Sequence, residues 1–105
     1  MIRVTGIYRW EEGARFDHAY YATEHMRVAK EALLPHGLLK LESDRYLASG
    51  APQAGQIVAA TNAYFPTLEI AQAAMAMAAQ VLMANVANYT NLRPQMHMSE
   101  VSTHV

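Results

Sequence analysis

The chain has 105 residues, with 8 basic and 9 acidic side chains and a formal net charge of -1. With no basic stripe or like-charge run, it lacks the electrostatic footprint for capturing nucleic acid or an anionic membrane. It contains no cysteine, which excludes a disulfide framework, a thiol nucleophile and a thiolate metal site.

The length predicts one domain over residues 1–105. Hydrophobic residues make up 52% and charged residues 16%, against about 25% charged in an average domain. So thin a charge coat on a small domain points to a surface that meets a second copy of the chain. The opening stretch MIRVTGIYRW carries Arg3 and Arg9, which break any long apolar run. Neither a signal peptide nor a transmembrane helix is expected there, and the cytoplasm is the default location.

Residues 2–10 alternate as a strand, with Ile2, Val4, Gly6, Tyr8 and Trp10 on one face and Arg3, Thr5, Ile7 and Arg9 on the other. Glu11, Glu12 and Gly13 form the turn. Asp17 is placed to cap a helix that runs to about Leu34 and stops at Pro35 and Gly37. At about 100° per residue, His18, Tyr21, Ala22, His25, Val28, Ala29 and Ala32 share the face expected to meet a sheet. Residues 38–48 read as a second strand, 49–55 as a loop and 57–65 as a third, strongly apolar strand. Thr67 caps a second helix running to about Val86, with Ile70, Ala73, Ala74, Met77, Val81 and Ala84 as the expected core stripe. Asn88 to Asn91 form a turn. A last strand spans 92–101, where Pro94 demands an edge or a bulge.

The order β-α-β-β-α-β predicts an α+β, ferredoxin-like fold: a four-stranded antiparallel sheet with both helices on one face. The uncovered face is expected to carry Ile7 or Tyr8, Tyr64 and Met96, depending on parity. Burying one large apolar side chain contributes about 1.5–3 kcal/mol, so such a face favours a homodimer closed sheet to sheet around a pocket.

Several segments together resemble the EthD family: the Met1-Ile2-Arg3-Val4 opening, Gly13 to Met26 (GARFDHAYYATEHM), Gly50-Ala51-Pro52, Ala63 to Ala74 (AYFPTLEIAQAA), and Met83 through Asn88-Tyr89-Thr90 and Pro94 to Met98-Ser99-Glu100-Val101. The resemblance implies a dimeric α+β barrel, a scaffold shared by cofactor-free monooxygenases, polyketide cyclases, muconolactone isomerases and haem-handling enzymes. Where the family often has proline after His-Met, this chain has Arg27. At the family's acidic and histidine positions in the second helix it has Ala78, Val81 and Asn85, an apparent loss of polar groups.

His25 is the candidate general base, because imidazole titrates near neutrality and relays protons. Tyr21, one turn earlier, is its candidate orienting donor. A buried histidine satisfied by backbone or by Tyr21 is the purely structural reading of the same pair. Tyr46, Asn62, Tyr64, Asn88, Tyr89 and His97 are candidate substrate-binding residues, since aromatic walls with a few polar groups suit a small planar or apolar ligand. No histidine pair has metal-ligand spacing, so no metal is expected. No cofactor is expected either; haem held through a single histidine is the alternative. The expected function is handling of a small apolar or aromatic molecule, as a cofactor-independent oxygenase, cyclase or isomerase, or as a non-catalytic partner of a catabolic oxygenase system acting on ethers or aromatics.

Overall fold

The computed structural model describes residues 1–105. Strand β1 (Ile2–Arg9) leads through a turn into a short helix α1 (His18–Tyr20), a π turn (Tyr21–His25) and helix α2 (Met26–Leu33). A 3-10 turn (Leu34–His36) precedes β2 (Lys40–Arg45), and β3 (Ile57–Phe65), α3 (Leu68–Val86) and β4 (Gln95–Glu100) complete the chain. The strands form one antiparallel sheet in the order β2-β3-β1-β4. The expected α+β arrangement is therefore present, with β2 and β4 at the edges.

Local chemistry sets the boundaries. Asp17 accepts a hydrogen bond from the Tyr20 amide at 3.0 Å, and Thr67 accepts one from the Ile70 amide at 3.2 Å. Each satisfies one of the amides left unpaired at a helix start. Gly37 ends the first helical run at φ 97°. A Cβ there would lie 2.8 Å from Ile70 Cγ2, so both backbone angle and space select glycine. Pro94 stands just before β4, where its missing N–H disturbs no ladder bond.

Register fixes which side chains meet the helices. Ile2, Val4, Gly6 and Tyr8 of β1 lie opposite Phe65, Ala63, Thr61 and Ala59 of β3 on the covered face, with Met96 and Met98 of β4. Val4, Leu33, Leu38, Ala63 and Phe65 pack there with Ala71, Ala74 and Ala78 of α3. Alanines on that line of α3 let the helix lie close to its neighbours.

Two expectations need correction. The stripe assigned to α3 is turned from the observed one: the helix buries Ala71, Ala74, Ala78 and Val86, while Ile70, Met77 and Val81 are exposed. Alanine and methionine occur all round this helix, so hydrophobicity alone does not specify its rotation. The uncovered sheet face is also not broadly apolar. Tyr8 and Met96 point to the helices, and the open face instead presents Arg3, Thr5, Ile7, Lys40, Glu42 and Asp44 around Asn62 and Tyr64. Thr5 donates to Asn62 Oδ1 (3.0 Å), Asn62 donates to Asp44 (2.8 Å), Tyr64 donates to Glu42 (2.9 Å), and Lys40 pairs with Glu42 (3.2 Å). This knitted polar surface removes the argument that apolar burial drives association through the sheet.

Phe65 is fully buried in the main core. Phe65→Ala should destabilise the fold by about 3–5 kcal/mol and Thr67→Ala by about 1 kcal/mol. Urea unfolding monitored by circular dichroism checks both values and their order.

Candidate functional site

A second cluster surrounds His25. Tyr8, Tyr21 and Tyr89 are buried there, packed with Phe16 and Tyr20. Their rings meet largely edge to face, with centroids 5.0–5.8 Å apart in the Phe16–Tyr21, Tyr8–Phe16 and Tyr8–Tyr89 pairs. Aromatic quadrupoles favour that geometry. The cluster is held from both chain directions. Phe16 bridges Thr90, the Asp17 amide donates to the Tyr89 carbonyl at 2.8 Å, and Thr90 Oγ1 donates to the Arg15 carbonyl at 2.7 Å. The Asn88-Tyr89-Thr90 segment is thereby sewn to the residues leading into α1.

His25 closes the π turn and is 5% exposed. Asn85 Nδ2 donates to the Tyr20 hydroxyl at 3.2 Å, so its Oδ1 faces His25 Nδ1 at 2.8 Å. An amide oxygen only accepts, and the network therefore puts the imidazole proton on Nδ1. Nε2 is left as an acceptor, and the Tyr89 hydroxyl donates to it at 3.3 Å. Tyr89 has spent its single hydrogen, so the Tyr8 hydroxyl, in close hydrogen-bond contact with it, is the donor in that pair. The result is a one-way chain, Tyr8 to Tyr89 to His25 to Asn85 to Tyr20.

Electrostatics keep this chain neutral. Burial lowers the His25 pKa below its ordinary value, with the Asn85 hydrogen bond opposing in part. Burial raises the pKa of Tyr89 and of Tyr8; the nearby Tyr8 pushes Tyr89 up further, whereas the bond to Tyr89 partly offsets the rise at Tyr8. Tyr21 is likewise raised, chiefly by burial.

Beside the cluster, between α3 and the β1–β4 half of the sheet, lies a cavity of about 460 Å³. His25, Tyr8, Thr61 and His97 are the lining residues that carry a polar side-chain group, and Met75, Leu82 and Met96 are among its apolar lining. No Lys, Arg, Asp or Glu lines it. Gly6 sits in the middle of β1 on this wall, opposite Thr61, and its absent side chain lets the Met96 thioether lie close against the sheet. Met83, Met96 and Met98 stand half exposed at the mouth. The chamber thus lies within one chain, under the helices, and not between two sheets.

Of the residues singled out from sequence, His25, Tyr21 and Tyr89 come together. Tyr21 is not the orienting donor of His25. Residues four apart project alike, so the two rings lie nearly parallel (12°, 5.7 Å), and the longer Tyr21 reaches past His25 to Thr61 Oγ1. Tyr89 and Asn85 hold the imidazole instead. Asn85, one of the three positions where α3 departs from the family's acidic and histidine pattern, supplies an amide to His25 and no acid or base. His97 touches the cavity rim, while strand alternation turns its ring towards the open face. Asn62 and Tyr64 belong to that open face, Tyr46 is exposed beyond the end of β2, and Asn88 is exposed and donates to Tyr20 at 3.2 Å. None of these four lines the cavity. Tyr8, Thr61 and the methionines went unnoticed as site residues. The Val4-Gly6-Tyr8 alternation and the single asparagine inside an otherwise apolar stretch of α3 were the signals available.

No group of three His, Asp or Glu side chains is gathered as a metal set. Both nitrogens of His25 are engaged by Asn85 and Tyr89, so axial haem ligation through it would need one of those bonds broken.

No family model matches the sequence, and no curated protein is significantly similar to it. Among solved structures, an EthD-like protein from Ralstonia eutropha JMP134 is 33% identical over 99% of this chain and 94% of that one, with a TM-score of 0.82. An ethyl tert-butyl ether d (EthD) family protein from Bacillus halodurans C-125 is 16% identical over 97% of this chain and 99% of that one, with a TM-score of 0.62, and shares the fold. With a third of its residues matched across almost the full length of the Ralstonia protein, the chain belongs to the EthD-like family.

Proposed function

We propose that the protein binds a small, largely apolar molecule in the cavity under α3 and acts on it without a cofactor, with His25 as general base. The observation that carries this is a neutral imidazole, joined to the cavity by the hydroxyls of Tyr89 and Tyr8, at a wall that holds no charged side chain. Removal of a proton from a hydroxyl or an acidic carbon is a first step common to cofactor-free oxygenation, cyclisation and isomerisation. A dry wall strengthens such a transfer by removing competing water, and one positioned base contributes about 10²–10⁴-fold.

A second reading is a non-catalytic binding protein serving a catabolic oxygenase that acts on ethers or aromatics. It is favoured by the engagement of both His25 nitrogens at rest. Multiple turnover on any substrate rules this out; stoichiometric binding with no product across an aromatic and ether panel supports it.

We further propose that the chain works as a homodimer through its open sheet face. Arg3 Nε is enclosed on that face without a hydrogen-bond partner, and Arg3, Lys40, Glu42 and Asp44 give it charges of both signs that a two-fold axis can match. Sedimentation equilibrium should give twice the chain mass, and Ile7→Glu should shift it towards the single chain. A wild-type protein that stays at one chain mass at 0.1 mM or so rules the dimer out.

Once a substrate is in hand, His25→Ala should lose about 10²–10⁴-fold in rate while retaining its circular dichroism spectrum. Undiminished turnover in that variant removes His25 from the mechanism. The base must be unprotonated, and its pKa lies below the usual histidine value. Activity should therefore be flat above about pH 6.5 and fall only at more acid pH. Stability should decline in the same direction. Below pH 6.5 or so the unfolded chain binds a proton that folded His25 resists, so lowering the pH favours unfolding. His18 is shifted downward too, by burial and by Arg45. The slope due to His25 is thus the part abolished by His25→Gln and kept by His18→Gln.

A further inference from the structure

The cavity wall carries a hydrogen-bonding pattern of its own. The Tyr8 hydrogen is committed to Tyr89, which leaves the oxygen of this cavity-lining residue free to accept. Thr61 supplies the complement. Tyr21 is 2% exposed, and its hydroxyl makes no hydrogen bond except to Thr61 Oγ1. A buried phenol hydrogen without an acceptor costs about 1–3 kcal/mol, so Tyr21 donates in that pair. The Thr61 hydrogen is then free, and Thr61, unlike Tyr21, lines the cavity. In the sheet Thr61 lies directly opposite Gly6, and Tyr8 is two residues along β1 on the same face. One acceptor and one donor therefore flank Gly6, over whose bare backbone the Met96 side chain lies.

We propose that the ligand is an uncharged hydroxyl compound, an alcohol, enol or phenol, whose O–H donates to Tyr8 and whose oxygen accepts from Thr61, with an apolar body lying against the methionines. This rests on the cavity being the binding site and goes further by fixing the ligand's head group. An ether or ketone accepts but cannot donate, so it leaves the Tyr8 oxygen unmatched. A carboxylate brings a charge to a wall with no cationic side chain, at a heavy desolvation cost. An alkylammonium ion meets the same lack of a counter-charge. Met75, Met83, Met96 and Met98 are unbranched and polarizable, and such side chains adapt to apolar shapes. Head-group chemistry is therefore strict where body shape is permissive. A hydroxyl seated on Tyr8 also stands at the head of the chain that ends on His25 Nε2, the direction in which its proton would leave.

The test is binding to the full-length protein, followed by amide chemical-shift titration, with two probe sets of constant body: 1-octanol, methyl octyl ether, octanoate and octylamine; and 4-tert-butylphenol, 4-tert-butylanisole and 4-tert-butylbenzoate. In at least one set the hydroxyl compound should bind about tenfold or more tightly than its methyl ether, with the ions weaker still, and shifts should centre on Gly6, Thr61 and Met96. Tyr8→Phe should erase the preference of hydroxyl over ether while the cavity still binds, and Thr61→Val should weaken the hydroxyl compound and its ether alike. A carboxylate or ether that binds at least as tightly as the hydroxyl compound, with shifts at the same residues, overturns the head-group assignment and leaves the cavity as the site. If no probe in either set shifts cavity residues, or if Gly6→Val leaves binding unchanged, the cavity reading fails and the proposal with it. An independent readout is the His25 ring ¹⁵N spectrum of the free protein. Protonation at Nδ1 is expected, whereas a ring protonated at Nε2 reverses the hydrogen-bond chain and overturns the assignment.

Discussion

An imidazole shut away from water needs a partner for each nitrogen, and much of the site follows from meeting that need. His25 sits where the π turn, the last turn of α3 and the segment before β4 converge, and each supplies something. The π turn aims the ring, α3 supplies Asn85, and the segment after it supplies Tyr89. Because Asn85 is itself oriented by Tyr20, the tautomer is set from outside the cavity. Because Tyr89 has one hydrogen to give, Tyr8 is committed in turn. A single buried ring thus propagates a direction through side chains drawn from β1, both helical regions and the loop before β4.

The fold was legible in the sequence to the extent that periodicity was clean. β1 and β3 alternate or run apolar, Asp17 and Thr67 announce helix starts, and Pro35 with Gly37 announces a stop. The rotation of α3 was not legible. A helix made mostly of alanine and methionine has no strongly polar face to exclude, and its setting comes from which alanines let it approach the sheet. The open sheet face was misjudged for a related reason. Strand β2 places Lys40, Glu42 and Asp44 on that side, and a one-residue change in parity exchanges the two faces completely.

The site was legible only in part. Burial of His25 followed from helical spacing, and Tyr89 was legible only as one candidate for an aromatic wall. Its actual hydrogen-bond partners did not, because both lie sixty or more residues away in sequence and no local pattern reports them. Tyr21 illustrates the limit of i, i+4 reasoning: neighbours on one helix face stack side by side, and their polar ends need not meet. Asn62 and Tyr64 are polar and aromatic as expected of a binding wall, yet they occupy the far side of the sheet, where they tie β3 to β1 and β2.

Gly6 has no backbone angle that demands glycine; what it contributes is room for the Met96 side chain. A Cβ built there would come 3.2 Å from Met96 Sδ, a side-chain atom that has freedom to give way. The chamber's floor here is therefore Met96 laid against bare backbone, and any side chain at residue 6 must push the thioether aside. Stepwise enlargement at this residue, through alanine to valine, would act as a ruler cut into the floor of the pocket. Because Thr61 and Tyr8 flank Gly6 in the sheet, it would crowd the seat of the head group before it shortened the body admitted, so size selection and reactivity are tied together at this residue.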